Sequence, residues 1–185
     1  MRHDYNDLIV IFNGLFLESL NTELLLGGEE PIYLPASSER QHNQIIFARG
    51  YFASAMHELA HWCIAGTERR KLEDYGYWYE PDGRSEAVQT AFEKVEIKPQ
   101  AIEWILSASC GFKFQVSCDN LSGDCEPDRV AFTLKVREQV LTYLECGIPE
   151  RVKMLSDAFQ AFYGIKQLTE QDFIQPSRYN EMCCV

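Results

Sequence analysis

Five consecutive residues, His57-Glu58-Leu59-Ala60-His61, have the types and spacing to hold a metal ion. Side chains four apart in an α-helix lie on one side, one turn above the other, so two imidazoles can approach one ion. Glu58 falls about 100° round the barrel, close enough to serve a water or oxygen ligand at that ion. The flanking residues Phe52, Ala53, Ala55, Met56, Leu59, Ala60, Trp62, Cys63 and Ile64 leave the helix almost no wet face. Imidazoles in so dry a setting require partners. The bland alternative is a pair of core histidines satisfied by hydrogen bonds. It is weakened by the intervening Glu and by how few histidines the chain has, only His3 and His42 besides these two.

Two imidazoles leave an ion open on several sides. A carboxylate would complete either a zinc site or the two-His-one-carboxylate arrangement of non-haem iron. Glu68, Glu73 and Asp74 are nearest in sequence, while Glu93 and Glu96 share one face of a later predicted helix. Glu96 is favoured and Glu93 held in reserve. The stripe Ile102-Trp104-Ile105 presses that helix on the core, and an inward charge there requires a partner.

The elements that must position these groups follow from the patterning. Asp4 is placed as an N-cap for a helix over 5–20, with Leu8, Ile11, Phe12, Leu15 and Phe16 at helical spacing. Leu24–Leu26 and Ile32–Leu34 are short predicted strands, the second bounded by Pro31 and Pro35 and therefore expected at an edge. Gln44–Ala48 is a strand leading into the histidine helix, positioned to line a cleft where an extended substrate segment pairs. Gly66 is the expected helix stop. The run Tyr77-Trp78-Tyr79 suits a further strand, and Ser85 opens a helix. Pro99 predicts the first turn of a new helix reaching Ala108, and Phe112–Ser117 alternates like a strand. Helices follow from Asp128 to Cys146 and from Pro149 to Gly164. Thr169-Glu170-Gln171-Asp172 resembles a capping box, and 176–185 is expected to be a loose tail. The expectation is one α+β domain over 1–185, a small mixed sheet packed by helices with the histidine helix at its centre.

A net charge of −11 disfavours binding to nucleic-acid phosphates, whose affinity comes largely from Lys and Arg. It is compatible with a cationic substrate. No apolar run approaches a membrane span and the first residues lack a secretory pattern, so no membrane partner and a cytoplasmic setting are expected. Seven cysteines, an odd number without a C-x-x-C pair, point to thiols rather than a disulfide framework.

Several longer tokens go beyond the five-residue motif: Glu30-Pro31-Ile32-Tyr33-Leu34-Pro35-Ala36; the block from Ala53 to Gly66; Gly76-Tyr77-Trp78-Tyr79 with Pro81-Asp82-Gly83-Arg84; Phe92-Glu93 with Val95-Glu96 and Lys98-Pro99-Gln100-Ala101; Ser117–Leu121; Glu126–Val130; and Gly147–Arg151. In kind and order they resemble the bacterial elongation factor P hydroxylase family, over residues 30 to about 151. The resemblance implies hydroxylation of the lysine of translation elongation factor P that already bears a β-lysyl group. It implies a zincin-like fold similar to the rRNA-maturation endoribonucleases. It also implies a two-His-one-carboxylate site for Fe(II), with O2 as oxidant, although zinc can occupy such a site in purified protein. Carried onto this chain, the ligands are His57 and His61, with Glu96 as the favoured carboxylate and Glu93 still open. Glu58 is then the catalytic proton carrier. Tyr77, Trp78 and Tyr79 are candidates to wall a channel for the long cationic arm, with Asp74, Asp82 or Asp119 meeting its ammonium groups. The competing reaction class is a zinc metallohydrolase in which Glu58 is the general base and a strand edge grips a peptide. A metal-dependent ribonuclease fits the acidic chain poorly, and fold likeness does not fix function.

Overall fold

The computed structural model describes residues 2–75, 83–123 and 125–174. The expected strand at 77–79, Asp82 and the tail 176–185 lie outside them. Among the described residues five helices and three strands follow in the order α1 (Tyr5–Phe16), β1 (Thr22–Leu26), β2 (Ile32–Leu34), β3 (Asn43–Phe47), α2 (Phe52–Ile64), α3 (Glu86–Ser109), α4 (Arg129–Cys146) and α5 (Glu150–Tyr163). Short 3-10 turns occupy Arg69–Lys71 and Glu170–Phe173, the second carrying the expected capping box between Thr169 and Asp172. The architecture is α+β, with a small mixed sheet covered by helices.

The sheet order is β1-β3-β2, with β1 parallel and β2 antiparallel to β3. The proline-bounded β2 lies at the edge as expected. The strand leading into α2, read from sequence as an edge that could line a cleft, is instead the central one. Both of its sides are already hydrogen-bonded. The outer side of β2 is also engaged at Tyr33, whose N–H donates to the Asp74 carbonyl at 2.8 Å while Asp74 N–H donates back at 3.0 Å.

α1 is capped by Asp4, whose carboxylate accepts from the Asn6 N–H at 2.9 Å. Its regular turns end at Phe16, short of the expected residue 20. The Asn13 side chain then accepts from the Leu24 N–H at 2.7 Å and ties the helix to β1. Leu8, Phe12 and Phe16 bury the inner face, and both phenyl rings stand 5.0 Å from the Trp62 ring of α2. The chain turns from β3 into α2 through two left-handed residues, Arg49 and Gly50 (φ 56° and 68°). A Cβ on Gly50 would press on the Tyr5 ring at 3.2 Å, so backbone freedom and close packing both favour glycine there. Phe52, Ala55, Met56, Leu59, Ala60, Trp62 and Cys63 are buried, placing α2 between the sheet and helices α1, α3 and α5.

Two expectations fail between residues 85 and 117. Pro99 does not open a new helix: α3 runs through it for 24 residues. Proline removes one N–H and crowds the preceding turn, but this one is buried among residues that pack the helix on both sides, and tertiary contact outweighs the local penalty. Phe112–Ser117 is not a strand. The Gln100 side chain does what a neighbouring strand would do, donating to the Ser117 carbonyl at 2.7 Å and accepting from its N–H at 2.9 Å. Arg129 donates to the Val116 carbonyl at 2.6 Å, and Phe114 stacks on Trp104 with centroids 5.0 Å apart. The alternation was a genuine signal of an extended segment, but one paired with side chains. The cysteines described, Cys63, Cys110, Cys118, Cys125 and Cys146, are all free thiols.

Candidate metal centre

On α2 the four-residue spacing brings His57 and His61 together, with ring centroids 4.5 Å apart and Nε2 atoms 3.0 Å apart. α3 crosses beside them and turns an unusual face inward: Glu96, Gln100 and Glu103, at helical spacing, are all buried. Glu96 Oε1 lies 3.5 Å from His61 Nε2, and Oε2 lies 3.9 Å from His57 Nε2. The favoured carboxylate therefore joins the two imidazoles, and these three residues offer ligand atoms all within 4.8 Å of one another. The reserve candidate does not join them. Glu93 accepts from Gln89 Nε2 at 3.1 Å and faces Lys135 Nζ at 3.9 Å.

The donor set fits a divalent ion. Metal–ligand bonds of about 2.1 Å at right angles put neighbouring donors about 3.0 Å apart, and tetrahedral angles widen this to about 3.4 Å. The observed separations of 3.0 and 3.5 Å match that span, with 3.9 Å slightly open.

Sequence reasoning missed Glu103. Its Oε2 accepts from His57 Nδ1 at 2.8 Å, which fixes the ring and turns Nε2 toward Glu96 and His61. The signal was available, since Glu103 stands seven residues after Glu96 and so recurs on the same face two turns on.

The electrostatics follow from crowding three acids around two imidazoles. Burial alone would lower the His57 pKa, but the Glu103 hydrogen bond and charge, with Glu96 and Glu58, push it up to about 10. His61 goes the other way, held well below its ordinary value by burial and by the charges of His57 and Arg69. A protonated His57 thus donates from Nε2 to neutral His61. The proton there meets the same electrostatic need that a metal cation meets. Burial raises Glu96, partly opposed by His57. Burial likewise raises Glu58, against the pull of His57 and with the push of Glu103, Glu96 and Asp74, to about 7.

Glu58 and His61 open on a small pocket lined also by Tyr33, Trp62, Arg69 and Asp74. Asp74, a candidate ammonium contact, is bound to the Arg69 guanidinium through both oxygens. Asp119, another, pairs with Arg129 away from these histidines, where the buried Arg84 also donates to the Asp119 carbonyl. Of the acids named from sequence for that role, only Asp74 among the described residues lines the pocket.

Residues 11–173 match the family model described as elongation factor P hydroxylase. A protein of Haemophilus influenzae named elongation factor P lysine hydroxylase is 53% identical over 183 residues, 99% of each chain.

Proposed function

This chain belongs to the elongation factor P hydroxylase family, and from that membership we propose that it hydroxylates the β-lysylated lysine of translation elongation factor P at one ion held by His57, His61 and Glu96. The observation that carries the site is the convergence of two Nε2 atoms 3.0 Å apart and a buried carboxylate within 3.9 Å of both. His57, His61 and Glu96 would hold Fe(II) as two imidazoles and one carboxylate, and the ion would supply with O2 the oxidising power that an unactivated C–H bond demands. The zincin-like likeness belongs to the same proposal, with a histidine helix packed behind a strand. So do a cytoplasmic setting, which follows from a translation factor as substrate, and the expectation of no direct nucleic-acid or membrane partner.

The protein groups divide the remaining work. Glu103 holds His57 in the tautomer that leaves Nε2 free to bind. Glu58, with a pKa near neutrality, can carry a proton on its carboxylate at the pocket wall and release it there. Asp74 is neutralised by Arg69 at the same pocket, which Arg70 also lines, so the acid left for a cationic side chain to meet there is Glu58. Leu59 and Ala60, fully buried on other faces of α2, fix that helix in the core and with it the positions of both imidazoles.

The hydrolytic reading, with zinc and Glu58 as general base, requires a strand edge to grip a peptide. Here β3 is central and the edge of β2 is engaged by Asp74 at Tyr33. The test is direct. Incubation of the protein with β-lysylated factor P, Fe(II), O2 and a reductant should add one oxygen atom to the factor by intact mass, labelled when 18O2 is supplied. An unchanged mass, or peptide cleavage instead, would refute the hydroxylase reading.

A further inference from the structure

Trp62 follows His61 by one position, about 100° round α2, and its surroundings are opposite in charge. The Arg151 guanidinium, from the first turn of α5, stands 4.8 Å from the Trp62 ring centroid, and that of Arg70 stands 5.9 Å away. Three buried N–H donors gather here without an acceptor: Trp62 Nε1, Arg70 Nε and Arg151 Nη1. The other Arg151 nitrogen, Nη2, donates to the Ala65 carbonyl at 2.7 Å. Among the described residues no carboxylate pairs with either arginine, and the neighbouring acid Glu150 is exposed.

Two half-buried guanidinium groups facing one indole are costly in a chain of net charge −11 that has acids to spare. Burial, and then the charge of Arg70, lower the Arg151 pKa. Both arginines line a cavity of about 520 Å³ whose other walls include Phe16, Leu20, Cys63 and Met154, with the exposed Glu150 at its edge. Pro149, at the N-terminus of α5, contributes no side-chain cap, so the helix adds its own positive end. Guanidinium and indole N–H groups can only donate. Their missing counterpart is an acceptor with negative charge.

We propose that this cavity binds a small oxyanion, a carboxylate or phosphate group on a molecule with a short apolar body, gripped by Arg70 and Arg151. The planar guanidinium forks match the two oxygens of such a group, and the apolar walls receive its body. Arg70 also lines the pocket beside Glu58 and His61, so the bound anion shares a side chain with the approach to the metal centre. The site itself does not depend on the hydroxylase reading.

Calorimetric titration of the full-length protein with inorganic phosphate and with butyrate, against butanol as the uncharged control, tests it. At least one of the two anions should bind and butanol should not. Arg151→Met and Arg70→Met should each weaken binding about tenfold or more, from loss of a charged hydrogen bond. Lys153→Met, whose ammonium pairs with Asp157 on the surface, should leave it unchanged. Should Arg151→Met fail to fold, Arg151→Lys keeps the charge, loses the fork and should still weaken binding. His61→Ala should bind as the wild type does. Absence of binding by both anions, equal binding by the folded arginine variants, or loss confined to His61→Ala would overturn the proposal.

Discussion

The face of α2 that carries His57 and His61 meets the carboxylates of α3, whereas Trp62, the next residue along, meets two arginines. Both clusters sit against one dry helix, and both are unbalanced. Around the histidines, Glu58, Glu96 and Glu103 outnumber what two imidazoles can neutralise, so a cation is required, either a proton on His57 or a metal. Around Trp62 the Ala65 carbonyl serves one Arg151 nitrogen, but among the described residues no carboxylate balances the two guanidinium groups, and an anion would supply that charge. One apolar scaffold thus holds two polar sites of opposite sign, and each is identified by the charge it lacks rather than by the residues it has.

The sharpest way to break the acidic half is to remove a ligand. His57→Ala and His61→Ala should each abolish hydroxylation of β-lysylated factor P while leaving the far-UV dichroism intact; residual turnover near that of the wild type would mean the ion sits elsewhere. Next in size is Glu103→Gln. It keeps the hydrogen-bonding shape but removes the charge behind His57, and it should weaken metal binding about 10–100-fold by competition with a fluorescent chelator. An unaltered affinity would reduce Glu103 to packing.

A pH series separates proton from metal as the balancing cation. In metal-free protein both His57 and Glu58 have folded pKa values, about 10 and about 7, above their ordinary 6.5 and 4.5. The stability contributed by the bound proton is therefore fully present below the ordinary value and is lost as pH rises through the folded one. Urea midpoints should fall between about pH 4.5 and 7 through Glu58, and between about pH 6.5 and 10 through His57. Glu58→Gln should flatten the lower window only. Metal affinity should change in the opposite direction, rising with pH as His57 gives up its proton. A midpoint that climbed across both windows would contradict the charge balance described above. The smallest effect is expected from Glu93→Gln: because Glu93 faces Gln89 and Lys135, metal affinity should change by less than about twofold, a surface-scale effect.

The histidine helix could be read from sequence because its signal is local, four-residue spacing inside an apolar run. Glu96 could be inferred because an acid on a core-facing helix has few places to go. Glu103 obeys the same argument, but one carboxylate completes the ion's ligand set, and nothing local marks a second as the partner for the back of an imidazole. Pro99 and Phe112–Ser117 misled for a different reason. The local preference was read correctly, but tertiary contacts, close packing around Pro99 and the Gln100 amide clamped on Ser117, set the outcome. The arginine pair left no trace in local pattern. Arg70 and Arg151 are 81 positions apart, and only the docking of α5 against α2 brings both to Trp62.

Anaerobic titration with Fe(II) tests the central claim most directly, comparing the wild type with Glu96→Gln and Glu93→Gln. The account predicts one ion bound per chain in the wild type and in Glu93→Gln, with binding lost in Glu96→Gln. Equal stoichiometry and affinity in wild type and Glu96→Gln, or loss in Glu93→Gln alone, would contradict it.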